Sequence, residues 1–112
     1  MESTAMSNQY TYVPDLIEEM TVPEDGILSR TLHNDERSKI VAFAFAPGQE
    51  LSAHTAPMPA VISVVKGEAT IQLGDDSHEA AAGAVIHMAP QLQHGIRAKT
   101  PLVLLLVLIK NQ

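Results

Sequence analysis

The chain has 112 residues, 46% of them apolar, a formal net charge of −6 and no cysteine. That is enough for one domain with a core, and it argues against wholesale disorder, a disulfide framework, a thiolate metal centre and a cysteine nucleophile. The acidic balance, with no basic stripe to neutralise phosphates, argues against nucleic acid and anionic membranes as partners.

Met1 to Gln9 is polar without a period and reads as a loose tail. Asp15, after Pro14, is placed to cap one short helical turn with Leu16, Ile17 and Met20 on one side. Pro23-Glu24-Asp25-Gly26 is a turn, and β-character dominates beyond it. Ile27 to Leu32 and Ile40 to Phe45 flank the polar loop His33 to Ser38, the pattern of a hairpin. Alternation puts Val41, Phe43 and Phe45 on one face, toward a core. Ala42, Ala44 and Ala46 fall on the other, where a neighbouring layer can approach closely.

Ala46 to Gln49 breaks that strand, and Leu51 to Thr55 can extend again. Pro57 and Pro59 have no N–H to give, so Ala56 to Pro59 stays out of any central ladder. Ala60 to Lys66 and Glu68 to Leu73 are strands on either side of Gly67; the turn Gly74 to Ser77 leads back through His78 to Ala80. Gly83 opens a strand to Met88, and His94 to Ala98 extends after a loop at Pro90 to Gln93. Leu102 to Ile109 is apolar at every position. Such a strand is covered on both faces, by a barrel core and, as the expected second cover, by a partner subunit; a homodimer follows. The fold class is all-β, a sandwich or barrel. Residues 1–26 form an N-terminal tail and extension, and residues 27–112 the barrel domain.

The longest apolar run is too short to span a bilayer, and no basic segment precedes an apolar one at the N-terminus; a cytoplasmic protein is expected. No serine stands in a Gly-x-Ser-x-Gly elbow, and the six glycines are scattered as turn residues instead of forming a phosphate loop.

Two half-motifs, each ending on a histidine, carry the functional signal. The first runs from Gly48 through five residues to His54, then past Ala56 and Ala60 to Gly67; the second runs from Gly83 through Pro90 and Gln91 to His94. This arrangement resembles the two motifs of the cupin superfamily, small barrels that often hold a metal in the barrel mouth. The wording Leu51-Ser52-Ala53-His54-Thr55-Ala56-Pro57 followed by Gly67-Glu68-Ala69 is similar to small single-domain, RmlC-like conserved-barrel cupins. The resemblance implies a cupin-type double-stranded β-helix, a jelly-roll barrel, with a short N-terminal extension. It also implies that His54 and His94 share one pocket. Two of the four usual metal-ligand positions are taken by Ala56 and Ala60. Pro90 falls one place late, and Gln91 stands where glycine is common.

Two imidazoles make a weak site, since stable transition-metal centres usually take three or more protein ligands. Alternation places Glu50 on the face of His54 but about 13 Å along the strand. His87 is the first candidate for a third donor to a divalent transition metal, of an identity two imidazoles do not specify, and Gln91 the second. With alanine at positions 56 and 60, the pocket gains room and loses charge, and Ile62 and Val64 are expected to form an apolar wall with Ala60. That suits a small-molecule ligand held by one or two hydrogen bonds. The leading expectation is thus a small-molecule-binding cupin domain built around His54 and His94, with a weakly held divalent metal. The alternative is a metal-dependent cupin enzyme, dioxygenase-like or isomerase-like, using both histidines and a third donor. A metal-free epimerase ranks last, because the only tyrosines, Tyr10 and Tyr12, lie outside both motifs.

Overall fold

A computed structural model describes residues 9–110. One helical turn, α1 (Leu16–Glu19), precedes nine strands. They are β1 (Ile27–Asn34), β2 (Ser38–Phe45), β3 (Glu50–His54), β4 (Ala60–Lys66), β5 (Glu68–Leu73), β6 (Asp76–Ala81), β7 (Val85–Met88), β8 (His94–Ala98) and β9 (Leu102–Ile109). They form a five-stranded sheet in the order β1-β2-β9-β4-β7 and a four-stranded sheet in the order β3-β8-β5-β6, and every pairing is antiparallel. The all-β jelly-roll expected from the sequence is the fold observed.

The side-chain period of two sorts each strand between inside and outside. Ala60, Ile62 and Val64 of β4, and Leu102 and Leu104 of β9, point inward and are buried against Phe45, Ala69, Ile71 and Ile96. The continuous apolar run of β9 follows from its central place between β2 and β4. Its even positions face the core, while Val103 belongs to a second cluster with Met20, Ala42 and Ala44, packed by Leu16, Val22 and Leu105. The N-terminal extension thus covers part of the outer face, and the alanines of β2 give it room. Asp15 caps α1 by accepting from the N–H groups of Ile17 and Glu18 at 3.1 and 3.3 Å. Ile17, expected beside Leu16 and Met20, is instead 44% exposed.

The first hairpin is longer than its sequence suggests. His33 and Asn34 remain in β1, because Asp35 closes the turn by itself. Its carboxylate accepts from the N–H groups of Arg37 and Ser38, and its own N–H donates to Ser38 O at 2.9 Å. Gly67 joins β4 to β5 at φ 90°, and a Cβ there would lie 2.0 Å from Pro101 O, so no other residue fits.

Candidate functional site at the open end of the barrel

His54 ends β3 and His94 begins β8, and the two stand directly opposite each other in the ladder. Regular alternation would not put them on one face. Leu51 pairs with Ile96, both toward the core, and two residues further along β8 His94 is again inward. Counting from Leu51 by twos makes Ala53 inward and His54 outward. The register shifts between Leu51 and His54, so that Ser52 and Ala53 together oppose Gly95 alone. The extra residue reverses the parity of β3 and turns His54 to the face of His94. Gly95 permits this: a Cβ there would sit 3.2 Å from both Ala53 N and Leu51 O. Glu50, assigned to the face of His54 by alternation, is therefore on the opposite side.

The ring centres of His54 and His94 are 4.4 Å apart, with planes tilted by 53°. His94 is 8% exposed, whereas His54 lies at the rim and is exposed. Each ring is tied in the same way. His54 Nδ1 lies 2.8 Å from Ser52 O, and His94 Nδ1 lies 3.0 Å from Leu92 O. A carbonyl oxygen can only accept, so both Nδ1 atoms carry the proton and both neutral rings keep a lone pair on Nε2.

The two rings border a cavity of about 150 Å³. Facing them from the long sheet are Ala60 and Met88, paired across β4 and β7, with Leu106 and Leu108 of β9. Ala56, Met58, Ala89 and Leu92, from the loops before β4 and β8, complete the lining. No charged side chain lines it. On the exposed surface, hydrogen bonds shift three ionisable groups. Hydrogen bonds from His33, Arg37 N and Ser38 N hold the Asp35 carboxyl well below the usual carboxylate range. Lys99 and then Thr70 lower Glu79, and Glu79 in turn raises Lys99.

Several residues expected at the pocket lie outside it. His87 pairs with Val61, is exposed, and shares the outer face of β7 with Val85, while Ile86 and Met88 turn inward. It is a surface histidine, on the far side of the sheet from His54. Ile62 and Val64 are fully buried deeper in the core, below the cavity floor and not in its wall. Gln91 is exposed and does not line the cavity; its backbone takes φ 69° and its N–H donates to Ala56 O at 2.7 Å. The left-handed conformation explains why a glycine is common at that motif position. Ala56 and Ala60 do line the cavity, as expected. Sequence reading missed Met58 and Met88, the other side chains there with a heteroatom. Their only signal was a place beside the motif residues: Met58 between two prolines, Met88 six residues before His94. Among the described residues, no three His, Cys, Asp or Glu side chains are placed to share one ion.

The cupin domain family model matches residues 41–108, from β2 through most of β9. The chain belongs to the cupin family. A conserved protein of unknown function from Streptococcus pyogenes is 30% identical, with a TM-score of 0.84 over 93% of this chain and 91% of that one. An RmlC-like cupin from Desulfovibrio desulfuricans is 29% identical, with a TM-score of 0.79 over 89% of this cupin and 97% of its own chain. A cupin superfamily protein from Desulfitobacterium hafniense, 22% identical over 84% and 86% of the two chains at a TM-score of 0.80, shares the fold. No curated protein matches this cupin.

Proposed function

We propose that this cupin binds a compact, largely apolar small molecule at the open end of its barrel, with His54 and His94 as the polar anchors. The observation that carries the reading is the pair of Nε2 lone pairs bordering an otherwise apolar cavity. A cavity of about 150 Å³ matches the size at which an apolar protein cavity takes up benzene. Because both Nδ1 protons are committed to backbone carbonyls, the neutral rings offer acceptors. The preferred ligand therefore carries a hydroxyl or N–H donor on an apolar body.

Phenol and anisole test this directly, since they share a ring and differ in the donor. Phenol is expected to bind the parent protein more tightly than anisole, and the double variant His54→Ala, His94→Ala is expected to lose that preference while keeping its fold. Equal affinity of the variant and the parent for phenol refutes the reading.

A second reading, a metal-dependent cupin enzyme of dioxygenase or isomerase type, draws on the same two lone pairs. A divalent ion would find two nitrogens and no carboxylate in the lining, half of the donor set that such centres need. Elemental analysis of the parent and of the histidine double variant tests it, with stoichiometric metal in the parent alone as the supporting result. Self-pairing as a homodimer is part of the proposal. Val61 and Val107, paired across β4 and β9, and the exposed Val85 of β7 put apolar side chains on the outer face of the long sheet, beside Ser63 and His87. A monomer by light scattering at micromolar concentration removes that part.

A further inference from the structure

We infer that Lys39 sets the specificity of the open end, and that the ligand there is a small hydroxy acid whose carboxylate meets Lys39 while its hydroxyl meets the histidines. The inference rests on the pocket reading above and names the ligand class of the same site.

The register of the long sheet places Lys39. At the open end, one row of Cα partners crosses the sheet from Asn34 through Lys39, Leu108 and Ala60 to Met88. The last three of these line the cavity. Residues directly opposite in an antiparallel ladder present their side chains on one face, with Cβ atoms about 4.5–5.5 Å apart. Lys39 therefore shares the inner face with Leu108. Alternation with Phe43 and Phe45, which pack on the core, requires the same. β2 pairs with β9 from Ser38 to Phe45 without a register shift, so no extra residue reverses this parity as one does in β3. A lysine stem spans about 6 Å from its Cα, enough to carry the ammonium from the neighbouring strand to the cavity rim.

The surroundings of that ammonium point to a ligand. Lys39 is half-buried. The chain has 13 acidic residues against 7 basic ones. Yet among the described residues the ion pairs join Glu19, Asp35 and Glu79 to other partners, and no hydrogen bond or carboxylate ties up Lys39. The corresponding row of the short sheet runs His54, His94, Leu73, Asp76. Its one acid, Asp76, is exposed on the edge strand, with Leu73 between it and the histidines. A cation on the inner face, beside an apolar cavity and without an internal counter-charge, is set to take an external one.

The ligand's chemistry follows from the three parts. The neutral imidazoles accept from a hydroxyl, the apolar lining takes the body, and the ammonium takes the anion. A carboxylate matches one ammonium in charge, whereas a phosphate brings about −1.5 to −2 to a single cation.

The probes are 3- and 4-hydroxybenzoate, with phenol as the uncharged reference. The parent is expected to bind at least one of the two acids about tenfold or more tighter than phenol, the scale of one hydrogen bond to a charged group. Lys39→Met keeps the stem and removes the charge. It is expected to abolish that advantage while phenol affinity stays within about twofold of the parent. Lys39→Arg is expected to retain the advantage. Acids that bind the parent no more tightly than phenol overturn the inference, as does an acid preference that survives in Lys39→Met. So does an equal loss of phenol and acid affinity in that variant, which would make Lys39 a support of the pocket and not an anchor for the anion. If Lys39→Met does not fold, the parent decides by salt: added NaCl must weaken binding of the acid and leave that of phenol level, and equal salt dependence overturns the inference. If phenol binds through the histidines and neither acid gains over it, the hydroxy-acid assignment falls and the pocket reading stands; if neither phenol nor the acids bind, both fall.

Discussion

The two ends of the barrel interior are built from the same strands and differ in what fills them. At the closed end, Val64, Ile62 and Leu104 meet Phe45 and Ile71, and all five are 2% exposed or less. At the open end, the next inward residue of β4 is Ala60, the loop before it supplies Ala56, and the facing strands present His54 and His94. Strand pairing reaches both ends, with a register shift near each. Side-chain volume alone separates a packed core from a cavity, because a β-sheet fixes where Cβ atoms point and leaves the space beyond them to the residue type. The polar groups appear only where the apolar filling stops.

Emptying the closed end is the largest perturbation expected. Ile62→Ala removes a 1% exposed side chain from the packed layer. It should cost about 2–5 kcal/mol, because the surrounding sheets cannot collapse onto the void. Urea unfolding that shows a loss below about 1 kcal/mol would mean that the interior is not packed as described.

Breaking the register at the histidine pair comes next. Gly95→Val brings a branched side chain against Ala53 N and Leu51 O, forcing β3 away from β8 or removing the extra residue from the pairing. Binding at the cavity should fall by at least tenfold, with a stability loss of about 1–3 kcal/mol from overpacking. Parent-like affinity in that variant would show that the shift does not place His54.

Filling the open end should erase the contrast at little cost. Ala60→Leu puts a larger apolar side chain between Met88 and Leu108. Ligand uptake is expected to be lost, while the midpoint of thermal unfolding stays level or rises, because added methyl groups enter space that is already open. A marked drop in that midpoint would indicate that the cavity is too narrow to accept them.

The smallest effect concerns charge on the outer surface. Glu79 is lowered by its hydrogen bond from Lys99, so its contribution is present above the unfolded carboxylate range and is lost as pH falls through the folded value. Lys99 is raised by the same contact, so its contribution is complete below the unfolded lysine range and is lost as pH rises through the folded value. The pair thus acts between the two, and Lys99→Ala should flatten a shallow stability plateau at neutral pH. Both side chains are exposed, so added salt should mimic the substitution. An undiminished pH dependence in the variant would assign the plateau to other groups.

Much of this protein was legible from residue order. The positions of the strands followed from alternation and from glycine and proline punctuation, since both act over a few residues and need no knowledge of distant neighbours. The run from Leu102 to Ile109 announced a strand covered on both faces. It did not say that Met20 and its neighbours supply part of the outer cover, because that contact joins segments some eighty residues apart. The two motif histidines marked the open end, and Ala56 and Ala60 foretold a roomier, uncharged cavity. His87 looked like a third donor for want of one fact, the parity of β7, which its pairing with β4 decides. Parity also misplaced Glu50, because one extra residue opposite Gly95 reverses a strand without altering its composition. Met58 and Met88 carried no local mark of a place at the cavity. Sequence determined which side chains exist and the period on which each strand displays them. Tertiary pairing decided which of them meet, because the register between two strands depends on both strands and on the loops that join them.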